Sequence, residues 1–148
     1  MVLALAGAAS AWAQQPVLLE NAWVLGISAQ NVPGQKSRLH RHAVDRLMVH
    51  RDPGRLRLTG ESGEYRDAVF GPLEVRWDPA GGLHTSENVG GNSIRIVEVE
   101  FKRAGETPTA AAPAGGSAVV VEQDRPQARV LRLRLAPGQR AALDSRSK

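Results

Sequence analysis

Between residues 16 and 102 the chain runs as short apolar stretches rich in Val, Ile and Leu, broken at close intervals by Gly, Pro, Asn or Asp, and no stretch keeps a helical period. That rhythm restricts the fold to β-strands joined by turns, because a period of two presents one face to a core while an amphipathic helix needs a period of 3.6. The pattern predicts strands at 17–20, 23–29, 44–50, 55–59, 65–70, 73–77 and 93–102. Strands this short and closely spaced bury their apolar faces against one another, as a sandwich or barrel. Trp23, Leu25 and Ile27 share one side of their strand. So do Leu73, Val75 and Trp77, with Glu74 and Arg76 opposite, and the apolar sides read as core faces. In 93–102 the apolar set shifts phase from Ile94 and Ile96 to Val97, Val99 and Phe101, which calls for a bulge or for cover on both faces.

A chain of 148 residues suits one domain of ordinary size, and with aromatics at only 4% its core must be aliphatic. Cysteine is absent, which excludes disulfides, thiolate zinc sites and thiol chemistry. The net charge of +4 comes mostly from arginine, and those arginines alternate with leucine, as at Arg55 to Leu58 and Leu131 to Leu135. Such alternation is a strand showing a polar face to water, so nucleic acid is not an expected partner. Residues 1–13, MVLALAGAASAWA, are uncharged and end in Ala11-Trp12-Ala13, the small-x-small pattern that signal peptidase cuts, so they read as a secretory signal. The apolar run is shorter than the roughly 20 residues a membrane span needs. The expected product is therefore exported, periplasmic or secreted, with no membrane anchor once the signal is removed.

The barrel candidate is 16–102, and 103–117, rich in Ala, Pro, Gly and Thr without apolar periodicity, reads as a linker. Residues 118–148 open like a second copy of the first unit: QARVLRLRLAPGQRAALDSR echoes NAWVLGISAQNVPGQKSRLHR, with Pro-Gly-Gln at 33–35 and again at 137–139. Asp144 and Arg146 stand where the first unit has His40 and His42, so this partial repeat carries no metal pair. Its Val119 to Val121 run and alternating leucines cannot stay bare in water, which predicts strand pairing by 130–135, across a homodimer in preference to within one chain.

The chemistry is concentrated in two stretches. In PGQKSRLHRHAVDRLMVHRDPG, His40 and His42 lie two apart, so on a strand both imidazoles leave the same face and can meet one ion. In GPLEVRWDPAGGLHTSENVG, Pro79 and Gly81 make a turn, His84 follows, and Asn88 comes four residues later. The order and spacing of Gly34, His40, His42 and Gly54, then Pro79, Gly81, His84 and Asn88, resemble the two motifs of the cupin superfamily. The resemblance implies a double-stranded β-helix, a jelly-roll barrel, with His40, His42 and His84 as ligands of a divalent transition metal. Three neutral imidazoles suit Zn, Fe, Ni, Cu or Mn and leave coordination positions open.

Many cupins add a glutamate ligand after the first motif, and counting back from Gly54 puts Leu47 in that place, as apolar wall of the pocket; Asp45 shares its parity. The expectation is a three-histidine site. His50, out of phase with Leu47 and Val49, reads as an outward surface histidine. Tyr65 reads as a half-buried strand residue or a hydroxyl at the mouth, Glu87 as a loop charge, and Gly34, Gly54, Gly81 and Asn88 as turn-makers. Two functions fit: a metal-dependent enzyme of dioxygenase or isomerase type acting on a small molecule, or a non-catalytic module binding a ligand or partner with vestigial histidines.

Overall fold

The computed structural model describes residues 15–103 and 119–140, so the stretch read as a secretory signal, the stretch read as a linker beyond Arg103, and Asp144 and Arg146 lie outside the described residues. The chain divides into two compact units, Met1–Lys102 and Arg103–Lys148.

The first unit holds β1 (Val17–Glu20), β2 (Val24–Asn31), β3 (His40–His42), β4 (Arg46–His50), β5 (Gly54–Gly60), β6 (Tyr65–Phe70), β7 (Glu74–Asp78), β8 (Gly81–Asn88) and β9 (Ile94–Phe101). They form two antiparallel sheets, a five-stranded one in the order β1-β2-β9-β4-β7 and a four-stranded one in the order β3-β8-β5-β6. Ala29, Ile94 and Ile96 from the first sheet meet Leu56 and Phe70 from the second in one buried cluster. Ile94 is fully buried at its centre, a burial worth about 1.5–3 kcal/mol relative to exposure. The sheets approach so closely there that a Cβ on Gly54 would lie 2.6 Å from Ile94. Glycine at this position is a packing requirement as well as a turn.

Two strands were illegible in the apolar pattern. β3 is His-Arg-His, and β8, Gly-Gly-Leu-His-Thr-Ser-Glu-Asn, has one aliphatic residue. β8 is held between β3 and β5 by its backbone ladder, so Glu87 lies on a strand and not in a loop, 3.9 Å from Lys36. Asn88 does close a turn, its side chain accepting from Gly90 N–H and donating to the carbonyls of Asn31 and Asn92.

The phase shift in β9 is not a bulge. Its pairing runs unbroken with β2 and with β4. Ile94, Ile96 and Glu98 point between the sheets, while Phe101 is buried on the other face and stacks on Trp77 with ring centroids 5.1 Å apart. The strand is covered on both sides. The same arrangement overturns the expected core faces of two neighbours. Arg46, Met48 and His50 of β4 and Arg76 and Asp78 of β7 line the interior cavity, so Leu47, Val49 and Val75 belong to the opposite face. Trp23 and Leu73, expected in the core, are 62% and 53% exposed.

In the second unit, β10 (Val119–Asp124) and β11 (Arg129–Leu133) form an antiparallel hairpin, with Val119 opposite Leu133 and Asp124 opposite Arg129. The tail strand thus finds a pairing partner inside its own chain, in β10. Local complementarity explains it: the turn between them is closed by backbone bonds between Arg125 and Ala128, and Arg132 pairs with Glu122 and Arg129 with Asp124. The repeated Pro-Gly-Gln adopts one conformation in both units. Gln35 N–H donates to Val32 O and Val32 N–H to Gln35 Oε1; Gln139 N–H donates to Ala136 O and Ala136 N–H to Gln139 Oε1. Gly34 and Gly138 have φ of 76° and 81°.

Candidate metal centre

The segment before β3 is fastened to β8. Ser37 N–H donates to Ser86 O, and Ser86 N–H donates to Ser37 Oγ, each at 2.8 Å. On the other side, Gly81 and Gly82 have φ of 122° and 57°, a backbone that residues with a side chain rarely adopt, and this tight entry starts β8 where His84 lands opposite His40. His42 pairs with Gly81 across a register shift, so both histidines of β3 stay on the face that His84 shares. The result is convergence: ring centroids lie 4.8 Å apart for His40 and His42, 4.7 Å for His40 and His84, and 5.4 Å for His42 and His84. One nitrogen from each ring lies within 4.8 Å of the others.

Backbone carbonyls settle which nitrogens face inward. His40 Nδ1–H donates to Arg38 O at 2.8 Å and His84 Nδ1–H to Gly82 O at 3.0 Å. In the neutral rings this leaves each Nε2 as a lone-pair donor. His40 Nε2 and His42 Nε2 are 3.1 Å apart. At that distance the Nε2–H tautomer of neutral His42 donates to His40 Nε2, and a metal ion at the cluster would take the place of that proton. A second proton, which would make either ring cationic, is disfavoured here. Burial, then the Arg46 guanidinium and the neighbouring histidines, push His42 down to about 3. Burial also lowers His40, against the opposing effect of the Arg38 carbonyl. The donor set, three half-buried imidazoles of which His40 and His84 have Nδ1–H held by a carbonyl, fits a divalent transition metal.

The three histidines line a cavity of about 620 Å³ between the sheets. Its wall on the five-stranded sheet is charged. Arg46 is buried and pairs with Glu98 at 2.8 Å and with Asp78. Leu47 does not line the cavity; it is buried on the other face, opposite Trp77 and Val99, and Asp45 is spent accepting from Ala80 N–H. The inward residue at this height is Arg46, a cation where the expected apolar wall was to be. His50, expected outside, is 2% exposed, lies against Phe70 with ring centroids 3.9 Å apart, and is kept neutral by burial. Tyr65 is exposed at the cavity's edge with the Arg57 guanidinium 4.2 Å from its ring centre.

Sequence reasoning missed Arg46, Asp78, Glu98 and Glu100. Glu98 and Glu100, with His42, form a second group whose ligand atoms lie within 4.8 Å of one another. The available signal was the Glu98–Glu100 alternation inside a strand whose apolar residues change phase: a strand covered on both faces with one face acidic points those acids into a site.

No family model matches the chain, and no curated protein does. Solved structures do. A cupin domain from Bordetella pertussis Tohama I superposes with a TM-score of 0.56 at 24% identity, over 61% of this chain and 93% of that one. A cupin family protein with a double-stranded β-helix fold from Methanocaldococcus jannaschii gives a TM-score of 0.49 at 13% identity, over 63% and 83%. The chain has the cupin fold, a double-stranded β-helix whose sheets enclose the histidine cluster.

Proposed function

We propose that His40, His42 and His84 hold a divalent transition metal (Zn, Fe, Ni, Cu or Mn) and that the cavity beside them binds a small molecule, as substrate of a metal-dependent enzyme. The observation that supports this reading is the convergence of three imidazoles at the edge of the cavity, one nitrogen of each within 4.8 Å of the others. A bound ion supplies Lewis acidity toward an oxygen of the ligand. The chain's own contribution is to fix the tautomers through the Arg38 and Gly82 carbonyls and to hold Arg46 immobile between two carboxylates. Metal analysis of the purified protein tests the reading: one equivalent in the wild type and loss of stoichiometric binding in His84→Ala support it, because two imidazoles hold a labile ion poorly. Failure of the wild type to take up any metal after reconstitution refutes it.

A second reading, a non-catalytic ligand-binding module, is favoured by Arg46, which places a neutralised cation beside the cluster in place of an additional ligand. Turnover assays across oxygenase and isomerase substrates with the metal-loaded protein separate the two. We further infer export directed by residues 1–13 and a homodimer in solution. N-terminal sequencing of the mature protein checks the first, and light scattering against a form ending at Lys102 the second.

A further inference from the structure

The charges on the five-stranded sheet do not balance. Asp78, Glu98 and Glu100 face one guanidinium, Arg46, and Arg46 engages only the first two. Glu100 is half-buried and makes no hydrogen bond or ion pair among the described residues. Lys102, the nearest lysine along β9, is bonded to Glu20 at 2.6 Å and to the Asn21 carbonyl at 3.0 Å. Half-buried carboxylates whose nearest cations are already engaged by other partners are costly unless a further cation joins them. Glu98 uses one oxygen on Arg46 and keeps lone pairs for another partner. Both acids reach within 4.8 Å of a nitrogen of His42.

We propose that His42, Glu98 and Glu100 form a second cation seat, adjoining the three-histidine cluster and sharing His42 with it. One imidazole and two carboxylates make a harder donor set than three imidazoles, so this seat takes Mn²⁺ in preference to the Zn²⁺ that suits the histidines. Its charge also fits: an excess of two carboxylates over the one guanidinium, Arg46, is neutralised by one dication. The inference builds on the metal reading of His40, His42 and His84 but is tested apart from it.

The experiment uses the full chain and two probes, Mn²⁺ followed by electron paramagnetic resonance and Zn²⁺ followed by calorimetry. In His40→Ala/His84→Ala the cluster is destroyed and the second seat is intact. That variant is expected to lose tight Zn²⁺ binding and to keep one equivalent of Mn²⁺; adding Glu100→Gln then weakens Mn²⁺ by about tenfold or more, since losing even a residue that only orients a ligand costs about 10–100-fold. No Mn²⁺ binding by the double variant, or binding indifferent to Glu100→Gln, overturns the proposal while leaving the histidine cluster untouched. Should the double variant fail to fold, Glu100→Gln in the wild type carries the test: the ratio of the Mn²⁺ Kd to the Zn²⁺ Kd must rise, and an unchanged ratio overturns the seat. The cluster itself fails separately, if His84→Ala leaves Zn²⁺ affinity as it was.

Discussion

Arg46→Met offers the most direct check on the electrostatics of the cavity. The arginine side chain is 6% exposed and that of Glu98 9%, so the exchange strands a buried carboxylate. Breaking a buried pair by removing one partner costs about 3–5 kcal/mol. Asp78, at 32% exposure, is wetter, and its arm adds no more than about 1 kcal/mol. Urea unfolding at pH 7, followed by tryptophan fluorescence, is therefore expected to show a loss of about 3–6 kcal/mol, the sum of those two ranges. Sodium chloride should change little of it, because buried pairs are weakly screened. The companion variant Arg46→Met/Glu98→Leu removes both ends of the buried arm and is expected to recover most of the loss. A loss below about 1 kcal/mol for Arg46→Met would mean that the pair behaves as a surface contact and would refute the assignment of a sealed charge network. The same variant reports on the histidines: Arg46 is the second cause, after burial, of the depressed His42, so its removal must raise that group's titration in an NMR experiment.

The remaining expectations are simpler. His40, His42 and His50 are all lowered in the folded protein, chiefly by burial, so the unfolded chain binds more protons below its ordinary histidine pKa of about 6.5. Stability of the metal-free protein should hold above that pH and fall as the pH drops from there toward about 3, the value for His42; a flat melting temperature between pH 7 and 5 in the presence of chelator would contradict it. Gly54→Ala sets a methyl against Ile94 at 2.6 Å, an overpacking that should cost about 1–3 kcal/mol and be partly relieved by Ile94→Val, read by thermal melting. Leu47→Glu places a charge on the face away from the histidines and should destabilise the fold without tightening metal binding; a tighter Zn²⁺ Kd in a folded variant would show that Leu47 reaches the cavity after all.

The fold was legible because most of the barrel's strands obey the two-residue period, and because turn-forming Gly, Pro, Asn and Asp separate them. Two of the three histidines were legible at strand spacing, and His84 joined them through the resemblance to the cupin motifs. What stayed hidden follows from a single physical assumption, that the apolar face of a strand is the inner one. In β4 and β7 both faces are occupied, and the interior one carries Arg46, His50, Arg76 and Asp78. Charged residues can occupy such a face because they satisfy one another, Arg46 with Glu98 and Asp78, Arg76 with Glu74. The partners of Arg46 lie on strands distant in sequence, and no local pattern announces them. β3 and β8 were hidden for the opposite reason, since a strand that carries the site has few aliphatic residues to mark it. The tail was read correctly as strand-forming, but its partner, β10, is the Val119 to Val121 run of the same chain.

The doubled Pro-Gly-Gln turn has a kinetic meaning. Everything that shapes it is local: proline sets its own φ, glycine accepts the left-handed one, and the glutamine side chain captures an N–H three residues back. Barrel closure, in contrast, must bring β2 to β9 from opposite ends of the first unit, and long-range pairings of that kind are the slow events in β-protein folding. Loops of a few residues close in well under a microsecond or so. The chain therefore acquires two correctly bent corners, one in each unit, long before either sheet exists, and the rate of reaching the native state is governed by the wait for β9.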